Sequence, residues 1–125
     1  MKILQQIVVF DTGDLATESG FWAGLLDGTV EAEDDWHTVR VDGEAMVAFQ
    51  LAPNHVKPNW PDGEPQQLHL DLYVDDIRSA DEKALALGAT LLSPVSQLDG
   101  EHGFRVYADP SGHPFCLCWD PTSSA

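Results

Sequence analysis

Gln67-Leu68-His69-Leu70-Asp71-Leu72-Tyr73-Val74-Asp75-Asp76 is the stretch on which the fold turns. Strand side chains alternate between faces, so Leu68, Leu70, Leu72 and Val74 share one face while His69, Asp71 and Tyr73 share the other. Asp75-Asp76 then reads as a turn and helix cap, and Ile77, Ala80, Ala84 and Leu87 lie on one side of the helix it starts. Gly88 ends that helix. Thr90 to Ser93, Gly103 to Ala108 and Pro114 to Trp119 follow as three short strands, the last two parted by the turn Asp109-Pro110-Ser111-Gly112.

The same order occurs earlier in the chain. Ile7-Val8-Val9-Phe10-Asp11-Thr12-Gly13-Asp14 lays over His69 to Asp76, with the apolar run from Ile3 to Phe10 as its strand. Thr12 or Asp14 caps a helix carrying Leu15, Glu18, Trp22, Leu25 and Leu26 at helical spacing, and Gly28 stops it. Strands at Thr29 to Ala32, Trp36 to Val41 and Ala45 to Ala52 follow, the last two joined by the hairpin signal Asp42-Gly43. The reading is α+β: two βαβββ modules, residues 1–52 and 67–120, in a single domain spanning 1–125. The connector 53–66 holds four of the eight prolines.

Composition bounds the partners. Asp and Glu number 21 against 6 Lys and Arg, a net charge of -15. Binding to a phosphate backbone or an anionic membrane depends on cationic neutralisation, so neither nucleic acid nor membrane is an expected partner. No apolar run approaches the roughly 18 residues of a membrane span, and the first residues have no signal-peptide core, so a cytoplasmic protein is expected. Cys116 and Cys118 are too close along one strand for an unstrained disulfide, which suits a reducing compartment. The run Glu31 to Asp35 reads as a solvated loop.

If the two sheets curve together with helices outside, their front faces make a concave wall. Gln50, His69, Asp71, Tyr73 and Cys116 fall on it by alternation, joined by Arg105 or Tyr107. An ordinary sheet with one wet face fits the same alternation. Trp60 lies in the proline-rich connector, where a large ring needs cover, so it is expected to fold over the cavity mouth or a dimer seam. Trp22 and Trp119 read as core, and His37, His55, His102 and His113 as surface histidines.

Phe21-Trp22-Ala23-Gly24-Leu25-Leu26, the 67–76 stretch, Ala86-Leu87-Gly88-Ala89 and Asp109-Pro110-Ser111-Gly112-His113-Pro114-Phe115 together resemble the vicinal oxygen chelate superfamily. The resemblance is to its branch of glyoxalase-like, bleomycin-resistance-like and dioxygenase proteins, and covers nearly the whole chain. It implies paired βαβββ modules around a cavity, and often a homodimer. In metal-dependent members four positions hold a divalent cation, and here they fall on Ile7, Gln50, His69 and Cys116. Ile7 has no donor atom, and Cys116 offers a soft thiolate where a carboxylate is usual. Gln50, His69 and Cys116 are therefore the metal-ligand candidates, and a divalent metal is not the favoured cofactor. The expected function is binding of a small molecule in the cavity without the full four-ligand site. The alternative is a metal-dependent lyase, dioxygenase or epimerase that uses His69, which with Asp71 beside it is also the candidate catalytic base.

Overall fold

The structure is a computed structural model that describes residues 1–65 and 67–121. Two compact units meet in the chain between Val56 and Lys57, inside the proline-rich connector. Each unit carries one module.

The first module runs β1 (Val8–Thr12), α1 (Leu15–Leu26), β2 (Thr29–Ala32), β3 (Trp36–Val41) and β4 (Glu44–Leu51), with its strands in the sheet order β1-β4-β3-β2. β1 lies parallel to β4, with Val8 opposite Val47 and Thr12 opposite Leu51. The expected strand thus starts later and runs further than the apolar run: Ile3 and Leu4 are exposed, while Thr12, a cap candidate, is a wholly buried strand residue. Pairing with β4 outweighs hydropathy there. Asp14 is the cap of α1, its carboxylate accepting from the Thr17 amide at 3.1 Å and the Thr17 hydroxyl at 2.8 Å.

Gly28 does not stop α1 in the manner expected. Asp27 takes the left-handed C-cap at φ 56°, a conformation that Asp tolerates better than most residues. Gly28 serves close approach instead, since a Cβ there would lie 2.5 Å from the Arg40 carbonyl oxygen. Asp42 and Gly43, at φ 51° and 81°, give the β3–β4 hairpin the paired positive φ values of a type I′ turn. Phe21, Trp22, Val39, Val47, Ala48 and Phe49 are buried, and Trp22 meets Phe10 and Phe21 edge to face at 5.4 Å each.

The second module repeats the order: β5 (Leu70–Tyr73), α2 (Ile77–Leu87), β6 (Thr90–Ser93), β7 (Gly103–Ala108) and β8 (Pro114–Trp119), in the sheet order β5-β8-β7-β6. β5 is parallel to β8, with Asp71 opposite Cys116 and Tyr73 opposite Cys118. It is shorter than the sequence suggests, beginning at Leu70 because Leu68 is exposed and outside the ladder. Asp76 caps α2 through the Ser79 amide, and Gly88 ends it in the left-handed region at φ 115°. Ile77 and Ala84 form the buried stripe of α2, whereas Leu87 is left partly exposed.

Candidate functional site

β5 and β8 build the centre of the site. Because the two strands pair in register, Asp71 and Cys116 project side by side, and His69 reaches the same spot from the residue before β5. His69 Nε2 lies 3.2 Å from Asp71 Oδ1, with both side chains a little under half exposed. One donor atom each from His69, Asp71 and Cys116 falls within 4.8 Å of the others. Positions two apart along a strand lie about 7 Å apart, and the two side chains close that gap to 3.2 Å.

Burial pushes the Cys116 thiol up to about 12, reinforced by the Asp71 carboxylate, by Cys118 and by a hydrogen bond to Asp71. Cys118 rises to about 11, for burial first and then Asp71. Both cysteines are free and buried. Held as protonated thiols, they are poor nucleophiles near neutrality, so the trio is no thiolate–imidazole pair of the protease kind.

Around this trio opens a cavity of about 410 Å³ lined by His69, Asp71, Tyr73, Cys116 and Cys118, with the β7 and β8 ends supplying His102, Gly103, Phe104, Trp119 and Asp120. All of these residues belong to the second unit. Tyr73 on β5 and Phe104 on β7, either side of β8, leave 62% and 42% of their surface exposed on its wall. Trp119, read from sequence as core, is buried and also lines the cavity, with its indole N–H donating to the Gly100 carbonyl at 2.9 Å. Trp60 packs against the cluster of Val106, Cys116 and Cys118, covering the floor strands from the connector.

Other expected site residues lie elsewhere. Arg105 and Tyr107 stand opposite Leu117 and Phe115 and turn toward α2. There the Tyr107 hydroxyl donates to Asp81 at 2.6 Å, Arg105 meets the same carboxylate at 3.4 Å, and the Tyr107 ring stacks on Phe115. Both side chains thus pack toward the helix, and neither is among the residues that line this cavity. The cavity side of β7 carries Phe104 and Val106, opposite Cys118 and Cys116. Alternation puts Phe104, Val106 and Ala108 on one face of β7 and Gly103, Arg105 and Tyr107 on the other, and it is the apolar set that lies on the cavity side, because Asp81 of α2 draws the polar pair to the helix. His102 and Asp120 had no sequence signal, since each lies just outside a strand.

Gln50 stands in the first unit, opposite Asp11 and Trp36 in the ladder, and is exposed. Ile7 precedes β1 and is half-buried. Of the four family metal positions, one therefore holds a side chain without any donor, and the usual set does not fit a cation. His113, read as a surface histidine, is pinned by a 2.8 Å contact of Nδ1 with the buried Asp109 carboxylate. Asp109 Oδ1 also accepts from the amides of Ser111 and His113, closing the turn before β8.

Residues 7–118 match the family model described as a glyoxalase-like domain. The chain belongs to the glyoxalase-like domain family. Its superfamily is the vicinal oxygen chelate one, and its two mixed sheets with their helices are the paired βαβββ modules of that fold. The glyoxalase-like chain is similar to the fosfomycin resistance protein FosX from Listeria monocytogenes, at 12% identity and TM-score 0.71 over 100% of this chain and 97% of that one. FosX from Mesorhizobium loti gives 17% and 0.69, covering 95% and 93%. A glyoxalase-related enzyme from Fulvimarina pelagi gives 20% and 0.67, covering 94% and 90%. No curated protein matches the chain. Among the described residues no helix is long and apolar enough to cross a membrane.

Proposed function

We propose that this glyoxalase-like protein binds a small organic molecule in the cavity of its second module. The observation that carries the reading is the wall itself: Tyr73 and Phe104 hold exposed rings around a polar centre of His69 and Asp71. With Asp71 and Asp120 on the lining and a net charge of -15, the wall favours a cationic aromatic compound, held by stacking, cation–π contact and charge. Similarity to two fosfomycin resistance proteins supports a small-molecule role. Cytoplasmic residence accords with the two free cysteines, and assembly as a homodimer with the exposed Val8, Val9, Val30 and Met46 of the first sheet; sedimentation equilibrium reads the latter.

The test is a thermal-shift screen of cationic glycopeptides and aromatic antibiotics. A ligand at about 100 times its Kd stabilises the folded state by about 2.7 kcal/mol, which is several degrees in Tm. The shift is expected to fall sharply in Phe104→Ala and Asp71→Asn. A panel without any stabilising compound, or a shift indifferent to both substitutions, defeats the reading. A second reading, an enzyme of lyase, dioxygenase or epimerase type, draws on the convergence of His69 with Asp71; it requires turnover that disappears in His69→Ala.

A further inference from the structure

The cavity of the second module stops part-way along β7. Phe104 lines it, whereas Val106, two residues on and on the same strand face, lies under the ring of Trp60. That ring also packs on Cys116 and Cys118, which line the cavity from β8, so indole and cavity share one face of the sheet. Beneath it Val106, Cys116 and Cys118 keep only 8%, 8% and 6% of their surface exposed.

The strap that carries the ring is held at two glycines. A Cβ on Gly112, at φ 91° in the turn before β8, would lie 2.9 Å from Pro58 Cδ and 3.0 Å from Lys57 Cβ, so the strap crosses that turn in direct contact. The Gly63 amide donates to the Asn59 carbonyl, closing residues 59–63 into one turn around Trp60, and a Cβ on Gly63 would lie 2.5 Å from that carbonyl oxygen. Residues 57–65 belong to no strand or helix, so the strap lifts without breaking a ladder.

We propose that Trp60 is a plug on the ligand face of the second sheet: its indole fills the part of the face over Val106 and sets the size of molecule the cavity admits. The inference rests on the reading of this cavity as a small-molecule site, and adds that the chain supplies its own aromatic occupant. A small ligand sits beside the ring against Tyr73 and Phe104, and a longer one must displace it. The space under the ring is walled by a valine and two thiols with Leu92 packed against them, so once vacated it holds a neutral aromatic ring without any charged partner.

The experiment uses the full chain with Trp60→Gly, and free indole as the probe. The two thiols should react slowly with a methanethiosulfonate reagent in the parent. In Trp60→Gly that rate should rise by about tenfold or more as their cover goes, and indole should fill the vacated space, raise Tm and restore slow labelling. In the parent, indole should change neither quantity. Gly63→Ala, at an exposed position whose added methyl pushes on the Asn59 carbonyl, should speed labelling with Trp60 still present, and it decides the matter should Trp60→Gly fail to fold. Labelling indifferent to both substitutions, a folded Trp60→Gly protein that gains no affinity for indole, or an identical size limit for ligands of parent and Trp60→Gly overturns the proposal. A ligand screen without any hit, beside intact indole binding by Trp60→Gly, would sink only the small-molecule reading.

Discussion

Tyr107 shows how one residue can satisfy a sequence pattern and still face the other way. Its ring is wholly buried against Phe115 and its hydroxyl gives Asp81 a 2.6 Å hydrogen bond, tying β7 to α2. Burial first, and then the bond to Asp81, holds its acid constant well above the usual 10. The unfolded chain thus ionises while the folded one stays protonated, so this group's stabilisation is intact below pH 10 and declines as pH rises beyond it. Tyr107→Phe should lower unfolding free energy by about 1–3 kcal/mol in urea titrations at neutral pH and flatten the alkaline decline. Equal stability of mutant and parent at neutral pH would show the bond to be idle. The site residues divide by the same logic. His69, Asp71 and Tyr73 could be read from sequence because a leucine on every second position declares the phase of β5. Phe104 could not, because the polar face of β7, with Arg105 and Tyr107, turns to Asp81 on α2 and leaves the apolar face to the cavity.

At the level of elements, the aspartate-capped helix starts and the Asp42-Gly43 hairpin were the most legible parts, whereas the end of α1 falls on Asp27 instead of Gly28. Asp14 and Asp76 cap α1 and α2 through the amides three residues on, and the carboxyl of each is held below its ordinary value, Asp14 by the Thr17 hydroxyl and then its amide, Asp76 by the Ser79 amide and then its hydroxyl. Their share of stability is therefore present above the usual carboxylate range and fades as pH falls through it. Strand limits were less legible, since β1 and β5 begin where a parallel partner in β4 or β8 becomes available rather than where the apolar run begins. Gly28 belongs to this scale because it sets the approach of the α1 end to β3. A methyl group there meets the Arg40 carbonyl at 2.5 Å and the side chains of Val39 and Val41 at 3.0 and 3.1 Å. Gly28→Ala should cost about 1–3 kcal/mol by overpacking, read as a lower denaturation midpoint with unchanged slope. An unaltered midpoint would mean that α1 shifts freely against its sheet.

For the whole molecule, 21 acids face 6 Lys and Arg, an excess of 15 negative charges. Arg40 with Glu31 is exposed and contributes little, whereas Arg105 with Asp81 is mostly covered. Self-repulsion should outweigh attraction, so raising sodium chloride from low to moderate concentration is expected to increase Tm by a few degrees. A fall in Tm with salt would instead assign the balance to attractive pairs. The sequence by itself determined the two βαβββ modules, their caps and turns, the family and the acidic balance, because these follow from local periodicity, from glycine and carboxylate chemistry at chain reversals, and from counting. Tertiary structure alone decided that His69, Asp71 and Cys116 converge, that Arg105 and Tyr107 serve α2, and that Phe104, His102 and Asp120 line the cavity. Those facts depend on strand register and on the phase of each strand against its neighbour, and both are set by pairing between segments distant in the chain.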